Sequence, residues 1–157
     1  MILGKLFSAK NIKLNLESTE KDELFEELVD LYVSNDSSIS RDSIIDAIRE
    51  REAKLSTGIK KGIALPHARI SGLKEPRGII GVSKKGIEYD SLDGNPVYVV
   101  FMLLSTVEDY SLHLKILNRL NILLLNPKFL EELFRETSRE GIYNMICKYE
   151  DMLIGGL

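Results

Sequence analysis

Val97-Tyr98-Val99-Val100-Phe101-Met102-Leu103-Leu104 is the longest apolar run in the chain. Its β-branching and its length fit a fully buried strand. It is far too short for a membrane span. Working outward, strand and helix patterns alternate, the mark of an α/β domain. On the N-terminal side, Asp93-Gly94-Asn95-Pro96 reads as a turn. Lys84-Lys85-Gly86 reads as another, closing a β-branched strand over Gly78–Ser83. Gly62–His67 reads as a short strand leading into a loop, and Ile12–Leu16 alternates like a short strand. Between these, Leu24, Phe25, Leu28, Leu31 and Tyr32 recur at helical spacing. Ser18 and Thr19 offer cap oxygens there, with Asp22 placed as in a capping box. Ser40 caps a second helix with Ile44, Ile45 and Ile48 on its inner face. That helix carries Arg49, Glu50, Arg51 and Glu52 and ends before Ser56-Thr57-Gly58, where Gly58 favours a turn.

On the C-terminal side a long helix begins near Ser111, with Leu112, Ile116, Leu117, Leu120 and Leu124 on one face. Asn126-Pro127 is an N-cap followed by proline at the first helical position. Phe129, Leu130, Leu133 and Phe134 form the next apolar face. Ser138 starts a last helix through about Tyr149, and Gly155-Gly156 reads as a frayed tail.

The chain has 157 residues, 44% of them apolar and 29% charged. This is the size of one domain, here 1–157 with a core over about 5–150, and the composition argues against disorder. The net charge of −3 excludes the basic excess of a nucleic-acid binder. The first ten residues lack the apolar stretch of a signal peptide, so the expected location is the cytoplasm, with no insertion into a membrane. A single cysteine, Cys147, excludes an internal disulfide. It lies in the apolar pattern of Ile142, Met145, Ile146 and Tyr149, as a small hydrophobe would. No G-x-x-x-x-G-K-[ST] and no G-x-S-x-G occurs, which takes support from nucleotide and acyl-transfer enzymes.

Histidine chemistry is confined to His67 and His113. The segment Gly62-Ile63-Ala64-Leu65-Pro66-His67-Ala68-Arg69 turns from apolar to polar at a strand end, with Pro66 stiffening the backbone before His67. A nucleophilic imidazole needs a neutral ring, a hydrogen bond on its second nitrogen and a fixed orientation. A rigid loop supplies the last of these, although residue type alone favours a surface loop histidine with no role. His113 sits near the start of the long helix, whose free N–H groups suit an anion. Two histidines and an arginine can hold a phosphoryl group, one as nucleophile and the others neutralising its oxygens. With two histidines and no carboxylate at ligand spacing, a zinc site is not expected. Arg51 and Glu52, taken alone, read as a solvated helix face.

At these residues the chain resembles the EIIA domain of the fructose/mannitol type in the phosphoenolpyruvate-dependent sugar phosphotransferase system, including its nitrogen-regulatory branch. Arg51-Glu52, Ser56-Thr57-Gly58-Ile59 and Gly62–Arg69 are similar to that family's active-site signature. The likeness continues through Asp93-Gly94-Asn95-Pro96-Val97, and His113-Leu114, Leu117 and Leu120 resemble its second histidine motif. One departure is the loop before His113: the family often carries a proline there, and this chain reads Ser105-Thr106-Val107.

The resemblance implies an α/β (α+β) single domain, a mixed β-sheet of about five strands flanked by helices. It implies that His67 accepts a phosphoryl group from an HPr-type phosphocarrier and passes it to an EIIB domain, or acts through regulatory target proteins. It assigns His113 and Arg51 to stabilising that group and calls for no cofactor, metal or nucleic acid. The chain carries no EIIB, EIIC or linker, which leans the expectation toward the regulatory role over the sugar-specific one. A non-catalytic interaction domain is the remaining alternative. An apolar docking patch is expected around His67, to which Ile63, Leu65 and Ile70 contribute unless they pack the core.

Overall fold

A computed structural model describes residues 1–155, the side chain of Lys60 apart. Its strands are β1 (Ile12–Lys13), β2 (Gly58–Lys60), β3 (Ile63–Ala64), β4 (His67–Ile70), β5 (Arg77–Ile87) and β6 (Val97–Thr106). Its helices are α1 (Leu3–Leu6), α2 (Lys21–Asn35), α3 (Arg41–Glu52), α4 (Tyr110–Leu124), α5 (Pro127–Arg135) and α6 (Arg139–Gly155).

The fold is mixed α/β, built around β6. The sheet order is β1-β5-β6-β3-β2, with β4 also paired to β6. β5 runs antiparallel to β6, whereas β3 and β4 run parallel to it. Alternate residues of β6 enter two cores. Val99, Phe101 and Leu103 pack with residues of α1, α4, α5 and α6, and Val100, Met102 and Leu104 pack with those of α2 and α3. A strand covered on both faces has no solvent side to mark with polar residues, which is why this run is unbroken.

Several local expectations are corrected. The sheet has six strands rather than about five, because Gly62–His67 is divided. Ile63–Ala64 is one strand, His67 opens the next, and Gly58–Lys60 adds another against β3. Gly58 therefore serves a close approach and not a turn: a Cβ there would lie 2.5 Å from Ser91 Oγ and 2.8 Å from the Tyr89 ring. Lys84-Lys85-Gly86 lies within β5. The ladder slips between Val82 and Ile87, Gly86 takes φ +91°, and its N–H donates to Ser83 Oγ. The turn chemistry is spent on an irregularity inside one strand.

β1 is only two residues long, because Asn15 adopts φ 60° soon after it. Ser18 and Thr19 do not cap α2. Glu20 occupies that position without a side-chain bond, and Ser18 Oγ instead donates to Glu27 Oε1 at 2.6 Å. The caps at Ser40 and Asn126 form as expected, accepting from the N–H of Ser43 and Lys128. α6 continues past Tyr149 to Gly155, and Gly156 lies outside the described residues. No helix among the described residues is long and apolar enough to cross a membrane.

Candidate functional site

β3 and β4 form one interrupted line along β6. The register is the same at Ile63↔Val99 and at His67↔Leu103. Leu65-Pro66 fills the gap, and the Pro66 carbonyl accepts from Leu103 N–H at 2.9 Å. A proline fits here because the break leaves no ladder bond for its missing N–H to make. Residues 63, 65, 67 and 69 alternate onto one face. Ile63 and Leu65 are buried in the core beneath α4, and His67 and Arg69 emerge beyond its edge. His67 thus stands at the start of a strand and not on the loop expected from sequence.

That strand start opens into a groove of about 510 Å³ between α3 and α4. His67, Arg69, Arg51, Lys54, Tyr110 and His113 line it. All three residues singled out from the sequence therefore meet at one place. The imidazoles of His67 and His113 lie 5.6 Å apart, centroid to centroid, tilted by 46°. His113 is brought there by the first turn of α4, whose start is fixed by Asp109 Oδ1 accepting from Leu112 N–H at 2.9 Å. Arg51 comes from the last turn of α3, and its Nη1 donates to the Leu55 carbonyl at 2.9 Å.

Each ring is held through Nδ1. His67 Nδ1 lies 2.7 Å from the Leu65 carbonyl oxygen. A carbonyl only accepts, so Nδ1 carries the proton and the Nε2 lone pair is free. His113 Nδ1 lies 2.6 Å from the buried Ser105 Oγ. Burial first, and then the Arg51 cation, lower the His67 pKa against the opposing bond to Leu65. Burial, with His67 and Arg69 nearby, pushes His113 down to about 4. Both rings are therefore neutral near pH 7, the state in which an imidazole is a nucleophile. A neutral Nε2 at a groove that the Arg51 cation also lines can attack an electrophile whose oxygens carry negative charge.

Glu52 is not solvated as a lone Arg-Glu pair suggests. It is buried, accepts from Thr57 N–H at 2.9 Å and Thr57 Oγ1 at 2.8 Å, and pairs with Lys21 at 3.4 Å. It ties down the turn that carries Leu55, and with it the carbonyl that Arg51 binds. Ile63, Leu65 and Ile70 are core residues rather than a docking patch. Tyr110 and Leu114 are exposed apolar side chains lining the groove. Arg69 lies in the segment quoted from the sequence but receives no role there, and Tyr110 is not singled out. The two-residue period from His67 points to the first, and the three-residue helical spacing before His113 points to the second.

Residues 5–149 match the family model described as phosphoenolpyruvate-dependent sugar phosphotransferase system, EIIA 2. The chain is 35% identical over 150 residues to a PTS system fructose-specific EIIABC component of Bacillus subtilis (strain 168). That match covers 96% of this chain and 24% of the relative, so the chain spans about a quarter of that protein. It is 30% identical to a PTS system fructose-specific EIIA component of Haloferax volcanii, covering 87% of this chain and 89% of the other. In structure it is similar to the nitrogen regulatory protein IIA-Ntr from Neisseria meningitidis, with a TM-score of 0.87 and 29% identity over 93% of this chain and 99% of the other. The chain belongs to the EIIA 2 family of the phosphoenolpyruvate-dependent sugar phosphotransferase system, a family of phosphoryl-transfer components.

Proposed function

We propose that this protein is a phosphoryl carrier of the cytoplasm. His67 accepts the group from an HPr-type phosphocarrier, and His113 and Arg51 stabilise it. The observation that carries this reading is the bond from His67 Nδ1 to the Leu65 carbonyl, which leaves Nε2 unprotonated at the groove. The Nε2 lone pair attacks phosphorus in line as the nitrogen–phosphorus bond to the donor histidine breaks. That bonding pair returns to the donor's ring. The ring of His67 gains positive character, which the Leu65 carbonyl dipole supports through Nδ1–H. Such a transfer needs positioning and charge neutralisation more than covalent help. Arg51 supplies a cation at the groove, and neutral His113 donates from Nε2–H in the tautomer whose Nδ1 accepts from Ser105 Oγ.

The onward step has two readings. Delivery to an EIIB domain during sugar uptake is favoured by the two fructose-specific relatives. Use of the phosphorylated state as a signal to regulatory target proteins is favoured by the structural likeness to a nitrogen regulatory protein. The test is incubation with phosphoenolpyruvate, Enzyme I and HPr, followed by a chase with a fructose-type EIIB. Acid-labile label that needs HPr and disappears in His67→Ala supports the carrier reading. Label that moves to EIIB supports the sugar role, and label that stays supports the regulatory one. Label retained by His67→Ala contradicts the acceptor assignment.

A further inference from the structure

We propose that Arg69 is a positioning residue for phosphoryl transfer at His67, acting through His113 by clamping the segment that joins β6 to α4. The proposal rests on the carrier reading above. The clamp begins with register: on β4 Arg69 stands opposite Ser105 of β6, the residue whose Oγ meets His113 Nδ1. From there its guanidinium reaches forward along the connection. Nε donates to the Thr106 carbonyl at 3.5 Å, and the terminal amino group donates to the Val107 carbonyl. The same guanidinium lies over the Tyr110 ring, 4.9 Å from its centroid. The Tyr110 ring in turn faces His113 at 6.0 Å with a tilt of 31°. One side chain therefore grips the start of the connection through carbonyls and its end through an aromatic face.

This stretch needs such a grip. Val107, Glu108, Asp109 and Tyr110 are all exposed, so core packing does not fix them. The local bonds are a turn from Asp109 N–H to Thr106 Oγ1 at 3.3 Å and the cap at Asp109. Ser105-Thr106-Val107 has no proline to stiffen it. A guanidinium suits the task because its planar fork spans two acceptors while its face stacks on a ring. Arg69 turns toward the loop and Tyr110, so it acts on the reacting ring of His67 only through its neighbour.

A double-mutant cycle in the HPr-dependent transfer assay tests this, with KM for HPr and kcat measured separately. Arg69→Ala is expected to lower kcat about tenfold with KM little changed, as a misplaced supporting group does. In the His113→Ala background the same substitution is expected to cost no more than about twofold, because its route of action is already gone. Arg69→Lys keeps the charge and loses the fork, and is expected to lose most of what Arg69→Ala loses. Tyr110→Leu is expected to be non-additive with Arg69→Ala. Circular dichroism checks each fold, and Arg69→Lys carries the test if Arg69→Ala does not fold.

Full additivity with His113→Ala would overturn the proposal, because it would place Arg69 on the phosphoryl group or on HPr itself. So would a raised KM at constant kcat, or unchanged transfer by Arg69→Ala. A folded wild type that takes no label from active HPr would instead overturn the carrier reading, and the positioning role with it.

Discussion

The carbonyl oxygen of Leu65 lies 2.7 Å from Nδ1 of His67, two residues further along the same interrupted strand. Pro66 between them makes the spacing rigid. The chain thereby fixes which nitrogen of His67 carries the proton before any partner arrives. At pH 7.5 a long-range nitrogen–proton spectrum is expected to show His67 protonated at Nδ1 and bare at Nε2. The opposite tautomer would remove the basis for attack from Nε2.

Arg51 reaches the groove from the end of α3 because Leu55 and the Glu52–Thr57 bonds hold the following turn. Arg51→Ala is expected to slow transfer from HPr by roughly tenfold to a hundredfold, the range for losing one charge-stabilising donor. Stopped-flow or quench-flow transfer measures it, with thermal unfolding as the control. An unchanged rate would exclude Arg51 from the phosphoryl site.

Stability should fall on mild acidification, and the histidines give the sign. His113 has a folded pKa of about 4 against an ordinary 6.5, and His67 is shifted the same way. A group depressed in the folded state makes its contribution in full above its unfolded pKa. That contribution is lost as pH falls from about 6.5 toward the folded value. Glu27 is held near 2: burial opposes its charge, and bonds from Ser18, Lys13 and two N–H groups outweigh that. Its share is lost only below the ordinary 4.5. Between pH 6.5 and 4.5 the loss is therefore expected to come from the histidines. Denaturation at pH 7.5 and 5 should show a smaller decline for His113→Gln than for wild type, and equal declines would contradict it.

A second buried carboxylate anchors the N-terminus. Glu150 accepts from the N–H groups of Ile2, Leu3 and Gly4 at 3.0, 2.8 and 2.9 Å, and Arg119 pairs with it at 3.1 Å. The start of α1 is thus capped from α6, at the far end of the sequence. Glu150→Ala is expected to cost about 3 kcal/mol by stranding these donors and the arginine. Hydrogen exchange should quicken first over residues 3–6, while exchange in β6 changes only with global stability. Unaltered protection there would refute the anchoring role.

Much of this architecture was legible in the residues, and the failures share a cause. Val97–Leu104 declared a strand buried on both faces because burial leaves a continuous apolar signature. Ser40 and Asn126 declared helix starts because capping is a local bond. Ser18 misled because its oxygen is claimed by Glu27, a partner nine residues away that no local pattern reveals. Lys84-Lys85-Gly86 misled because a bulge and a turn use the same residues. At the site, His67, His113 and Arg51 were named from their motifs, and the structure brings them to one groove. Glu52 looked solvated because its partners Thr57 and Lys21 meet it only in the folded chain. Arg69 stands in the quoted Gly62–Arg69 segment without a role because its meaning depends on the loop opposite it.

The most direct test of the central claim is to phosphorylate the protein through HPr and locate the phosphoryl group by nitrogen and phosphorus NMR. The expected result is a single phosphohistidine, with phosphorus coupled to Nε2 of His67 and His113 unmodified. Phosphorus bonded to Nδ1 of His67, or to either nitrogen of His113, would contradict the account.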